Sequence, residues 1–348
     1  MTSMLLGMLV LGTAAPELPT WWERLPPPET MYVTCDVDEL PKLSDSDPGG
    51  VWGHMMFTLQ SLSGLAARNL AEGVGDSLIW IDMASNTSHT RWRDETLRLT
   101  EATRVNVPDP WALLERCAAD GRVKGYIRYR ADASDRNYYD APPKDDPDYS
   151  TSSNVATSLA ADLDAIIVEA SAEPAFARLG LECLLDVTGR DQEWCFNKYR
   201  DRFNRALLHI VDPKVPHLRA YIIATRSLAV YGGSPFTDKV LRWLEPNAPI
   251  IGWNGGDELS HTSQLTRFGH YQTASNWIFN LPALTTVRSG EHVPWSVLRL
   301  NAHSACDPLA IEWKRDEHVT AFVLSDGDNV QWALGNYLDN PSYWASPS

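Results

Sequence analysis

No apolar run in the 348-residue chain reaches 18 residues, so no membrane span is expected. Basic residues are few beside acidic ones, 30 against 45, for a net charge of -15. A surface of that sign repels phosphate backbones and anionic headgroups, which excludes nucleic acid and membrane surfaces as partners. Cysteine is sparse and odd in number: Cys35, Cys117, Cys183, Cys195 and Cys306 show no CxxC spacing. Neither a zinc site nor a disulfide framework is indicated, and no cofactor is expected, although Cys183 and Cys195 could pair in an exported chain. A Gly-rich phosphate loop is missing too, since Gly252-Trp253-Asn254-Gly255-Gly256 lacks the spacing and the lysine of a P-loop. His54, His261, His270 and His303 fall in no HExxH pattern and accompany no Gly-x-Ser-x-Gly elbow, which argues against a zinc protease or an α/β-hydrolase. No internal repeat is visible.

Tryptophan, by contrast, is abundant at 14 residues. Most would pack in cores, and a few could stack on the apolar C–H face of a sugar ring. Met4 to Ala15 is an apolar stretch with a small-residue ending, so residues 1–20 read as a signal peptide and the chain as secreted or extracellular, with a cytoplasmic protein as the alternative.

From residue 21 to 245 strands alternate with helices, which points to an α/β region with a mostly parallel sheet. Strands are expected at Met31 to Val37, Ser77 to Met83, Val123 to Arg130, Ala165 to Ala170 and Tyr221 to Thr225. Helices are expected at Trp52 to Glu72, Pro110 to Ala119, Asn154 to Leu163, Gln192 to Phe203 and Thr237 to Leu244. The polar stretch Asp132 to Ser153 reads as a surface loop. Pro249 to Trp253 then reads as a strand opening a second domain, residues 246–348. A later strand, Val319 to Leu324, leads into Ser325-Asp326-Gly327-Asp328-Asn329 and a helix from Val330.

Both acidic clusters, Asp257-Glu258 and Asp326/Asp328, follow strands, and in parallel α/β proteins functional groups gather at strand C-terminal ends. Hydrolysis of a glycosidic bond takes two carboxyl groups, one protonated and one ionised. On spacing alone, solvated loop residues and helix caps compete with that reading, Asp328 or Asn329 being an ordinary N-cap candidate for the following helix.

The segment VTAFVLSDGDNVQWALGNYLDNPSY, Val319 to Tyr343, resembles the Ser-Asp-Gly-Asp-Asn signature of the GxGYxYP glycoside hydrolase-like family. IIGWNGGDELSHTSQLTRFGHYQTASNWIFNLP, Ile250 to Pro282, is similar to the family's opening barrel strand, its Asp-Glu loop and its later Asn-Trp element. The resemblance implies a TIM-barrel-like C-terminal domain acting on carbohydrate. The naming Gly-x-Gly-Tyr-x-Tyr-Pro motif, downstream of this block in the family, is not reached before Ser348, so an incomplete barrel, and a truncated and inactive chain, are among the expectations. Position by position, the resemblance carries over Trp253, Asp257, Glu258, Asn276, Trp277, Asp326, Gly327, Asp328 and Asn329.

On this reading Glu258 is the general acid, held protonated by desolvation beside Trp253, and Asp326 is the ionised nucleophile or base. Asp257 accompanies the first carboxylate, while Asp328 and Asn329 orient the second or bind hydroxyls. Trp253, Trp277 and Trp332 would stack on sugar, with Asn276 beside them. Two alternatives stay open: Asp326, Asp328 and Asn329 as ligands of a hard cation, or a non-catalytic glycan-binding chain.

Overall fold

The computed structural model describes residues 25–36, 50–83, 87–107, 109–135, 146–233, 235–273 and 278–287. Three βαβαβ units follow one another. The first is β1 (Thr30–Asp36), α1 (Gly50–Ala71), β2 (Ser77–Asp82), α2 (Thr87–Thr100) and β3 (Thr103–Val107), with α3 (Pro110–Ala119) leading out. The second is β4 (Gly125–Tyr129), α4 (Ser152–Leu163), β5 (Ala165–Glu169), α5 (Glu173–Phe176) and β6 (Cys183–Asp186), followed by α6 (Gln192–Tyr199). The third is β7 (Leu208–Ile210), α7 (Arg219–Ala224), β8 (Leu228–Val230), α8 (Pro235–Trp243) and β9 (Pro249–Gly252), extended by α9 (Glu258–Arg267), β10 (Tyr271–Thr273) and α10 (Leu281–Leu284).

Among the described residues every strand pair is parallel, so the expected α/β class holds. The sheet orders are β2-β1-β3, β5-β4-β6 and β10-β9-β7-β8. Read within each unit, the order is always second-first-third. The described residues therefore form a threefold structural repeat, where no internal repeat was expected.

Several expectations change. Tyr221 to Thr225 is not a strand but lies in and just beyond α7, buried on every side from Arg219 to Ile223. Pro249–Gly252 does not open a separate domain: it pairs with β7 inside the third sheet, Leu208 opposite Ile250 and Ile210 opposite Gly252. The expected barrel-like continuation past residue 287 and the signal at residues 1–20 lie outside the described residues. Cys183 and Cys195 are unpaired thiols, the first exposed on edge strand β6 and the second buried in α6. No helix of the described residues is long and apolar enough to cross a membrane.

The first helix of each unit, α1, α4 and α7, turns inward to a shared centre, where α1 packs on α7 and against β2 and β5. Gly64 permits the close approach, since a Cβ there would meet the Ala220 carbonyl oxygen at 2.6 Å and Ile223 Cβ at 2.7 Å. Arg219 of α7 is fully buried over the Phe57 ring, 4.1 Å from its centroid. It donates to the Val215 carbonyl at 2.9 Å, the Ser153 carbonyl at 3.1 Å and Thr157 Oγ1 at 2.7 Å. Desolvation pushes its guanidinium down to about 9.

The second strand of each unit lies at a sheet edge, yet β2, β5 and β8 are buried throughout. A buried edge needs partners for its outward N–H and C=O groups, and a neighbouring unit supplies them each time. Asn280, from the third unit, accepts from Ile81 N–H and donates to Ile81 C=O, both at 2.8 Å. On α1 of the first unit, Thr58 Oγ1 donates to the Ile167 carbonyl of β5 at 2.8 Å, and Ser61 Oγ accepts from Ile167 N–H at 3.0 Å. Gln192 of the second unit accepts from Tyr231 N–H at 2.8 Å and donates to Tyr231 C=O at 2.7 Å, directly after β8. Unit one clasps two, two clasps three and three clasps one, closing a ring. The third strands, β3 and β6, and the added β10 carry the exposed positions instead.

Candidate functional site

The described part of the sequence-predicted site is the loop that follows β9. Gly252 ends the strand at φ +101, and a Cβ there would collide with the Ile210 carbonyl oxygen, so only glycine allows β9 to turn away while paired with β7. Trp253 N–H still donates to that carbonyl at 2.9 Å. Asn254 is buried, and its Oδ1 accepts from Gly232 N–H at 2.7 Å, tying the loops after β8 and β9 together.

Asp257 is the N-cap of α9, accepting from Ser260 N–H at 2.8 Å and from Ser260 Oγ at 2.7 Å. The Ser260 amide, followed by its hydroxyl, holds the Asp257 carboxyl below its ordinary range. Such a cap satisfies the helix N-terminus and complements its dipole, a structural task that fixes this carboxylate in place. Glu258 opens the helix and is exposed. The desolvation beside Trp253 that the sequence reading invoked for Glu258 is not found among the described residues. Trp253 is half-buried and its ring instead tilts against His261, centroids 4.6 Å apart.

His261 is a residue that motif reasoning set aside. It is buried, with desolvation holding its imidazole below the usual range. Its Nε2 bonds Gln272 Oε1 at 2.6 Å, and Gln272 Nε2 donates to the Gly252 carbonyl, so α9, β10 and the end of β9 are locked together. The helical spacing of His261 from Asp257 was the signal available for it. Asn254, Asp257 and His261 border a cleft of about 500 Å³, lined further by Gln264 and Arg267 of the same helix α9 and by Asp238 of α8. Gln264 Nε2 donates to Asp238 Oδ1 at 2.7 Å. The cleft is polar and open, suited to hydrogen-bonding a hydroxylated ligand.

Asp326, Asp328, Asn329, Trp332, Asn276 and Trp277 lie outside the described residues. Among the described residues, no cluster of His, Cys, Asp and Glu is arranged to hold a metal ion.

Residues 124–203 match the model of the GxGYxYP_N second domain, and residues 205–286 match that of the GxGYxYP third domain. The two boundaries coincide with the second and third structural units. A crystal structure of a "putative hydrolase" from Bacteroides thetaiotaomicron VPI-5482 shares the fold with a TM-score of 0.63 at 21% identity, covering 76% of this chain and 47% of that one. The chain thus matches about half the length of that protein. No curated protein matches the sequence.

Proposed function

We propose that the chain belongs to a hydrolase acting on carbohydrate, with the loop after β9 forming one wall of its cleft; the matches of residues 124–203 and 205–286 to the GxGYxYP second- and third-domain models support this reading. The observation that carries this reading is the position of Asp257, at the C-terminal end of the internal strand β9 and on the wall of an open polar cleft, with Glu258 next to it in the first turn of α9. Loops at that end of a parallel sheet converge on one face, where chemistry is commonly placed. Asp257 is committed to its cap, so the reacting carboxyl is assigned to its neighbour Glu258, the general acid. Asp326 is the ionised partner, with Asp328 and Asn329 orienting it or bonding sugar hydroxyls.

A protonated acid needs water excluded from it. Glu258 is exposed, so this reading requires a further part of the protein, or the bound substrate, to cover it. Trp253, Trp277 and Trp332 are the candidates for stacking on sugar, and Asn276 for bonding it. The experiment is reducing-end release from a polysaccharide panel by the wild-type chain, Glu258→Gln and Asp326→Asn. Each substitution is expected to lower turnover at least about 100-fold, the scale of a lost general acid. Equal turnover by all three proteins, or none by the wild type, contradicts the assignment.

A further inference from the structure

A second cavity, of about 580 Å³, opens where the three units meet. The first unit contributes His54 and Phe57 from α1, the second contributes the ends of β4 and β5, and the third contributes Lys214 from the loop after β7. This too is the C-terminal end of the strands, where loops from separate units converge, and its size is that of a small-molecule site. It shares no lining residue with the cleft after β9.

Three bases, His54, Arg130 and Lys214, face three acids, Asp132, Asp148 and Glu169. The Glu169 side chain is only 7% exposed. Its carboxylate is held by the backbone N–H groups of Ser171 at 2.6 Å and Ala131 at 3.3 Å and by the Ser171 hydroxyl, which fix its orientation. His54 Nε2 stands 4.0 Å from Glu169 Oε2, beyond direct hydrogen-bond reach. A hydroxyl entering there could donate to the carboxylate and accept from the imidazole. Phe57 and Tyr129, stacked with centroids 5.6 Å apart and nearly fully buried, form the floor of the cavity and offer it no open ring face.

The charge balance selects the ligand. A phosphate would meet three carboxylates, and the acids and His54 are not grouped to hold a metal ion among the described residues, whereas each hydroxyl of a neutral polyol both donates and accepts. We propose that this junction cavity binds a neutral mono- or disaccharide, as a binding site separate from the cleft after β9. The Glu169–His54 pair takes one of the sugar's hydroxyls, and the donors and acceptors of Arg130, Asp132, Asp148 and Lys214 are in reach of the others.

The test is calorimetric titration of the full chain with glucose, galactose, mannose, xylose, N-acetylglucosamine and cellobiose, and with inorganic phosphate as the competing chemistry. At least one saccharide is expected to bind saturably. Glu169→Gln and the rim variant Lys214→Ala should each weaken it about tenfold or more, while Glu258→Gln stays within twofold of wild type. Lys214→Ala keeps the test decisive if Glu169→Gln fails to fold. No saturable saccharide binding, binding of phosphate alone, or binding insensitive to the junction variants overturns the proposal. Binding lost only in Glu258→Gln also overturns it, and places the sugar in the cleft after β9 instead.

Discussion

Replacing Asn280 by glycine should cost the fold a large share of its stability, because one amide side chain substitutes for a whole neighbouring strand. Asn280 is buried and holds both backbone groups of Ile81 on the edge of the first sheet, each at 2.8 Å. Its own backbone sits at φ 58, a left-handed conformation that glycine adopts freely and alanine does not. Asn280→Gly therefore removes the two hydrogen bonds without adding backbone strain. A stranded buried donor or acceptor costs about 1–3 kcal/mol, so the pair is worth about 2–6 kcal/mol. Against a total stability of about 5–15 kcal/mol, the transition midpoint in urea should fall visibly with its slope unchanged. Hydrogen exchange at the Ile81 amide should accelerate before that of Ile167, whose partners lie in a different clasp. Asn280→Ala should be worse than Asn280→Gly by about 1 kcal/mol, the added cost of the left-handed backbone. A glycine variant within about 0.5 kcal/mol of wild type, the range of an ordinary surface change, would refute the view that the units are clasped in a ring.

Two further outcomes follow from the same coordinates. Gly252 and Gly256 both have positive φ, but only at Gly252 would a Cβ strike neighbouring backbone; Gly256→Ala should cost about 1–3 kcal/mol of conformational strain and Gly252→Ala clearly more, so equal losses in urea would contradict the steric account. His209 and His217 are buried, and desolvation lowers both from 6.5 to about 3. Below pH 6.5 the unfolded chain takes up protons that the folded chain refuses, so their contribution is intact above 6.5 and is lost as pH falls toward 3. At pH 5.5 each should have lost about 1.4 kcal/mol relative to neutral pH. Urea titrations at pH 7.5 and 5.5 should differ accordingly, with about half of the difference removed in His209→Asn, and an unchanged stability would show that these rings can be protonated in place.

Much of the α/β alternation was legible because longer elements carry their own punctuation. Pro110–Ala119 matches its expected bounds, with Asp109 as N-cap and proline at the first turn. The three-residue strands β7 and β8 were not legible, since neither is long enough to show a period. α7 was misread because a short helix at the centre of the molecule is buried all round and shows no polar face. The threefold repeat stayed hidden for a related reason: its inward helices have 22, 12 and 6 residues, and their equivalence lies in strand order. At the candidate site, the acidic loop after β9 was foreseen, but Asp257 acting as a cap with Ser260 was not, although an Asp three residues ahead of a Ser at a helix start carries that signal. The junction cavity could not be read from sequence, because its walls come from α1, the ends of β4 and β5, and the loop after β7.

The central functional claim is spatial: Glu258 and Asp326 face each other across one cleft. Paired spin labels at these two positions, read by pulsed dipolar spectroscopy on the intact chain, test it without knowledge of the substrate. A single short distance is predicted, no larger than carboxyl groups about 5–9.5 Å apart plus the label tethers allow. A long distance, with the two sites on opposite sides of the molecule, would contradict the account.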